Sequence, residues 1–326
     1  MAADGGTGTV VVSGDAEYEG RLETLTVEDD GAFTGSGTTP RPTTRPSPRP
    51  SSSPVGVGAD RIGGMAPRRT DPATARAMYE AAHVALRAWL AALPAEAWAR
   101  SSVLAGWSVS DIGAHLVLVA DSVTALTPAP RSTRPLSLAA YVATYPAAAE
   151  AIAERTRAAA GGPDRSPAQL LDALDERFVE AVRALDGLGA GDLVVAAGRG
   201  PIRLGDFLAT RVVELVVHGD DLTRSCPDLA PPVAPREPER LAVRVLLEAL
   251  AERTPGRSLE VRVPPYAAVQ CVAGPRHTRG TPPGVVETEP VTWLRLAAGR
   301  VGWAEARESV RASGERADLS PYLPLF

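Results

Sequence analysis

No lysine and no asparagine occur in this chain of 326 residues, and all 34 basic side chains are arginine. The missing residues are those with AT-rich codons, as expected of a very GC-rich bacterial genome. Their absence excludes Schiff-base chemistry on lysine and a Walker-type phosphate lysine. Cysteine is nearly absent as well. Cys226 and Cys271 are the only two and form no C-x-x-C, so they read as buried or incidental thiols of a cytoplasmic protein, not as a disulfide framework. No apolar run approaches the ~18 residues of a membrane span. The N-terminus shows no basic stretch followed by an apolar core, hence no signal peptide. Positive charge is not in excess either: the net charge of −5 argues against a nucleic-acid surface.

What remains is an ordinary globular composition, 44% apolar, in a chain long enough for two domains. Residues 1–68 do not read as a domain. Thr38 to Ser53 is a Pro/Thr/Ser/Arg tract that cannot bury enough apolar surface to offset its ordering entropy. Thr9–Val12 and Arg21–Val27 are at most weak strands without a core, so a disordered extension is expected.

From Thr70 the pattern turns helical. Asp71-Pro72 offers a cap and a first-turn proline, followed by Tyr79, Ala82, Leu86, Trp89 and Leu90 at helical spacing. Further helices are predicted from Ser108 to Leu126, from Ser137 to Ala160 with a distortion at Pro146, from Ser166 to Leu188, and from Leu204 to Leu222. Residues 204–222 follow a Gly-rich connection. Long helices with short connections predict a helical bundle over 69–226, an architecture that builds metal sites from facing helices. Beyond a proline-rich boundary, residues 238–326 read as a small α+β domain. It has a helix near Glu239–Arg253, strands at 259–263, 267–272 and 284–287, and helices at 290–298 and 302–310.

Histidine is scarce, with four in the chain, and two of them sit in motif-like surroundings. One is His115 in Gly106-Trp107-Ser108-Val109-Ser110-Asp111-Ile112-Gly113-Ala114-His115. The other is His218 in Glu214-x-x-x-His218, which places both side chains on one helix face. Two imidazoles and a carboxylate with one open position are the usual donor set of a catalytic zinc. The spacing is equally compatible with a plain i,i+4 hydrogen bond, and Arg211 is a rival partner for Glu214. Still, a carboxylate among Val212, Val213, Leu215, Val216 and Val217 costs several kcal/mol unless a cation or strong partner compensates it. Asp221 either orients an imidazole from behind or is a solvated acid near the helix end. Asp111 reads as a helix cap. His83 and His277 carry no supporting pattern, and Cys226 follows the helix too late for a convincing ligand.

At these residues the chain resembles the mycothiol-dependent maleylpyruvate isomerase family, whose N-terminal domain belongs to the DinB-like metal-binding four-helix bundles. The resemblance covers roughly residues 70–225. It implies that His115, Glu214 and His218 bind a divalent metal, typically zinc. Thr292-Trp293-Leu294-Arg295-Leu296-Ala297-Ala298-Gly299-Arg300 and Ala312-Ser313-Gly314-Glu315-Arg316 resemble the end of a sterol-carrier-like domain fused to such bundles.

The resemblance further implies a low-molecular-weight thiol, mycothiol in that family, bound as thiolate at the metal. It would attack a small electrophile, giving a cis–trans isomerisation or an S-transfer. Arginines suit an acidic substrate or cofactor as carboxylate clamps, Arg295 and Arg300 being the candidates, with salt bridges as the alternative use. Two other readings stay open: a small-molecule or lipid carrier working through the C-terminal part, and a bundle whose metal is structural, its fourth position closed by Asp221 or Cys226.

Overall fold

The computed structural model describes residues 69–161, 166–189, 191–232, 235–274 and 284–326. The weak strands and disordered extension expected before residue 69, and His277, lie outside the described residues. The architecture is a helical region followed by a mixed sheet-and-helix region.

The helical region begins with α1 (Pro72–Ala91), α2 (Ala95–Trp98) and α3 (Val109–Thr124). It continues through α4 (Leu138–Val142), α5 (Tyr145–Ala160), α6 (Pro167–Leu188) and α7 (Leu204–Ser225). Local chemistry explains the starts. The Asp71 carboxylate accepts from the Thr74 amide at 2.8 Å, and Pro72 needs no donor in the first turn. Ser108 and Asp111 form a reciprocal capping box at α3, as do Ser166 and Gln169 at α6. On α6 the stripe Leu170, Leu174, Ala181 and Leu185 is buried. The main pairings are α3 with α6 and α1 with α7, closed by contacts of α3 with α7 and of α1 with α6. α5 packs on the side of α3.

Two expectations are corrected here. The single helix from 137 to 160 is two, α4 and α5, because Pro146 lies in the first turn of a new helix instead of kinking a continuous one. The Gly-rich connection before α7 holds a hairpin, β2 (Val194–Ala197) and β3 (Gly200–Arg203), to which β1 (Thr127–Pro128) adds a third antiparallel strand.

α7 is buried almost all round, the mark of a central helix. Its first turn meets the chain entering α1 so closely that a side chain at Gly205 would lie 2.1 Å from the Thr70 carbonyl oxygen. Behind it lies α8 (Arg236–Arg253), whose Val243, Leu246 and Leu247 are fully buried. The sheet beyond has the order β5 (Ala267–Cys271), β4 (Leu259–Val263), β6 (Gly284–Thr288), β7 (Val310–Ser313). β4 and β6 are parallel and the other pairs antiparallel, with Val261 opposite both Val269 and Val286. β4 alternates as its sequence suggests, with Leu259, Val261 and Val263 buried and Glu260 and Arg262 half-buried.

α9 (Pro290–Ala297) packs on α8 and touches α7. The helix expected over 302–310 is shorter. α10 (Trp303–Ala306) passes through a 3-10 turn into β7, because Val310 and its neighbours complete the sheet edge. Among the described residues no helix is long and apolar enough to cross a membrane.

Candidate metal centre

His115, Glu214 and His218 come together although α3 and α7 are about a hundred residues apart in sequence. One donor atom from each lies within 4.8 Å of the others. Position in the bundle explains this convergence. The Ser108 cap sets where α3 starts, and His115 lies two turns in, on the face turned to α7. Glu214 and His218 are four residues apart on α7 and share a face.

The cluster centres on one carboxylate oxygen. Glu214 Oε2 lies 3.4 Å from Nε2 of His115 and 3.4 Å from Nε2 of His218. The outer nitrogens are tied down behind. His115 Nδ1 meets the buried Thr156 hydroxyl at 3.3 Å, and His218 Nδ1 meets Asp221 Oδ2 at 3.0 Å. The imidazole rings stand 4.7 Å apart at 69°, with Trp107 at the edge of His115. Arg211, one turn before Glu214, places Nη2 3.7 Å from Glu214 Oε1 and also donates to the Tyr145 hydroxyl. Glu214 therefore has Arg211 on one oxygen and two imidazoles on the other.

Burial and these contacts together set the ionisation of the cluster. Burial opposes the ionisation of Glu214, but hydrogen bonds from both histidines and the Arg211 charge outweigh it and hold the carboxyl well below its ordinary range. Burial, with the Glu214 bond only partly offsetting it, lowers the pKa of His115. Burial also opposes protonation of His218, yet Asp221 and Glu214 raise its pKa on balance. Asp221 is itself held low despite burial, by His218 and Arg300.

This donor set fits a divalent metal. Four-coordinate zinc with bonds of about 2.0–2.1 Å has donors about 3.3 Å apart, close to the 3.4 Å separations of Glu214 from each histidine. Zinc, cobalt, nickel and iron(II) would all accept such nitrogen and carboxylate donors.

The cluster adjoins a cavity of about 450 Å³, lined by His115, Glu214, Arg211, Tyr141, Arg155 and Arg199 among others. Arg199 reaches it from the β2–β3 turn, its guanidinium 3.4 Å above the Tyr145 ring and 4.7 Å from that of Tyr141. Arg155, Thr156, Tyr145 and Arg199 escaped the sequence reading. They come from elements with no motif of their own, and the hairpin that presents Arg199 was unrecognised.

The remaining expected residues are placed as follows. Arg295 pairs with Asp220 through two bonds of 2.7 and 2.6 Å, and Arg300 pairs with Asp221. Asp111 completes the capping box of α3, its carboxylate accepting from the Ser108 amide at 2.7 Å. His83 is buried and stacked on Phe178, with ring centroids 3.6 Å apart. Cys226 and Cys271 are buried and unpaired, and neither belongs to the cluster.

Residues 79–223 match the family model described as mycothiol maleylpyruvate isomerase N-terminal domain, and residues 235–325 match the one described as bacterial SCP ortholog. Two solved structures are similar, the mycothiol-dependent maleylpyruvate isomerase and a histidine-to-alanine mutant of it. They cover 74% of this chain and 91% of their own at 18% and 17% identity, each with a TM-score of 0.48. No curated protein matches. The chain thus joins a region similar to the mycothiol maleylpyruvate isomerase N-terminal domain to a region similar to a bacterial SCP ortholog.

Proposed function

We propose that this chain is a metal- and thiol-dependent enzyme, an isomerase or S-transferase acting on a small, acidic electrophile. The observation that carries the reading is the convergence of His115, Glu214 and His218 beside a cavity of about 450 Å³. Those three residues would hold the metal, zinc by preference. When bound, a zinc ion supplies Lewis acidity and favours the thiolate form of a thiol at neutral pH.

The chain's own residues supply the rest. Thr156 and Asp221 hold the two imidazoles by their outer nitrogens, so that Nε2 of each faces Glu214. Arg199 and Arg155 line the cavity and offer planar, permanently charged groups to a substrate carboxylate. Stacking on Tyr145 and Tyr141 holds the Arg199 guanidinium in place before a substrate arrives. Arg295 and Arg300 are left out of this clamp, because their guanidiniums are engaged with Asp220 and Asp221.

The thiol is proposed to be mycothiol, following the similar proteins. Two buried, unpaired cysteines suit a reducing cytoplasm, the proposed location. A purely structural metal is the weaker reading, since Asp221 turns its carboxylate to the outer nitrogen of His218 and to Arg300.

The test is metal content by elemental mass spectrometry, paired with thiol-stimulated turnover of electrophilic diacids. About one zinc per chain is expected, and His218→Ala should lose it while keeping its helical circular dichroism. Full metal occupancy in His218→Ala would refute the ligand assignment. A metal-loaded chain that no thiol stimulates would favour a carrier.

A further inference from the structure

Asp220 and Asp221 are adjacent on α7, and each is taken by an arginine from beyond the proline-rich linker. Asp220 receives Nε and Nη2 of Arg295 at 2.7 and 2.6 Å. Asp221 receives Nε of Arg300 at 3.0 Å on Oδ1 and 3.1 Å on Oδ2, and Nη2 at 3.1 Å on Oδ2. As links between the two parts of the molecule these bridges are equivalent, but relative to the cluster they are not. Asp220 faces a groove with Leu86 and Leu294 and bonds none of the three donors. Asp221 has no exposed surface, and its Oδ2 also meets His218 Nδ1 at 3.0 Å.

An unbroken chain of contacts thus runs from Arg300 through Asp221 and the imidazole of His218 to Glu214. Its outer end is firmly held. Arg300 follows Gly299, whose φ of +68° turns the backbone at the end of α9. The Arg300 amide donates to the Arg295 carbonyl at 2.7 Å, and its Nη1 donates to the Ala298 carbonyl at 3.1 Å.

We propose that Arg300 is a positioning residue for the metal centre: it fixes the Asp221 carboxylate, which in turn fixes the His218 imidazole. The affinity of the bundle for its cation is then set in part by a residue outside the bundle. The proposal rests on reading His115, Glu214 and His218 as metal ligands. A fully buried carboxylate deprived of its guanidinium loses the bonds that define its orientation, and a ligand ring hinged on that carboxylate loses its aim. Partners of this kind are worth about ten- to a hundredfold in metal affinity.

The two bridges provide an internal control. Zinc affinity of the full chain is measured by competition with a chromophoric chelator, and the visible spectrum of the cobalt(II)-loaded chain reports the donor geometry. Arg300→Gln should weaken zinc binding about ten- to a hundredfold and alter the cobalt bands. Arg300→Lys, which keeps the charge but not the forked geometry, should fall between that variant and the wild type. Arg295→Gln breaks the neighbouring bridge of similar quality and should bind zinc as the wild type does. Should Arg300→Gln fail to fold by circular dichroism, Arg300→Lys against Arg295→Gln decides the matter.

Unchanged zinc affinity in a folded Arg300 variant would overturn the proposal. Equal weakening by Arg295→Gln would overturn it too, because general docking of the two parts would then suffice. A wild-type chain that binds neither ion would sink the metal reading itself, and the proposal with it.

Discussion

His83 shows what burial alone does to a histidine in this protein. Its Nε2 is buried and has no hydrogen-bond partner among the described residues, and its ring lies on Phe178. Burial lowers its pKa to about 4, with Asp175 and Arg87 exerting smaller, opposing effects. The folded state therefore refuses a proton that the unfolded chain accepts near 6.5. The sign follows: this contribution to stability is complete above pH 6.5 and is lost as pH falls toward 4. Its full size is about 3 kcal/mol. Urea unfolding of the wild type at pH 7.5 and 4.5 should show a fall that His83→Leu largely lacks; parallel pH profiles would show that His83 does not act this way. His115 and His218 differ from His83 in having acidic or hydroxyl partners on both ring nitrogens. That difference was half legible in the sequence. Glu214 and His218 declare themselves by spacing, whereas Thr156 sits in an alanine-rich helix, and its meeting with His115 depends on how α5 packs against α3.

At the scale of elements, signals local to the chain read well and those set by distant partners did not. The caps at Asp71, Ser108 and Ser166 mark helix starts because a side chain and the amides three residues on settle the matter between themselves. The β2–β3 hairpin and β7 depend on pairing, β7 with the distant β6, and their short runs carry too little pattern to announce it. Pro146 was misread because a proline in the first turn of a helix and one in its middle look alike until the helix start is known. α7, which supplies two of the three donors, is positioned at its start by backbone contact. Gly205 allows that approach, since a Cβ there would meet the Thr70 oxygen at 2.1 Å and the Pro72 nitrogen at 3.2 Å. These are main-chain atoms that cannot rotate aside. Gly205→Ala should therefore destabilise the protein by about 2 kcal/mol despite the better helix propensity of alanine. Its thermal midpoint should fall by several degrees. A gain in midpoint would mean that α1 and α7 separate there at little cost.

For the whole molecule, the question is whether bundle and C-terminal part stand as independent bodies. The sequence suggested two domains, because the proline-rich stretch at 227–238 looks like a linker and the pattern changes across it. The contacts run deeper than a linker implies. α8 packs along α7 and also against α1 and α4, with Val243, Leu246 and Leu247 buried completely. The Trp89 indole donates to the Ala230 carbonyl at 2.6 Å, fastening α1 to the stretch between the two parts. Two arginine–aspartate bridges then join α7 to the segment from Arg295 to Arg300. Apolar burial on this scale stabilises by about 25 cal/mol per Å², so neither part would expose its face without large loss. Residues 69–326 should consequently unfold in one cooperative step. Trp89, Trp98 and Trp107 report on the helical part, Trp293 and Trp303 on the other, and far-ultraviolet circular dichroism on both. Urea transitions followed by fluorescence and by dichroism should coincide in the wild type. In a variant that keeps only Trp293 and Trp303 they should coincide as well. A separate early transition in that variant would show that the C-terminal part opens alone, and the centre at His218 would then lose Arg300 before the bundle unfolds.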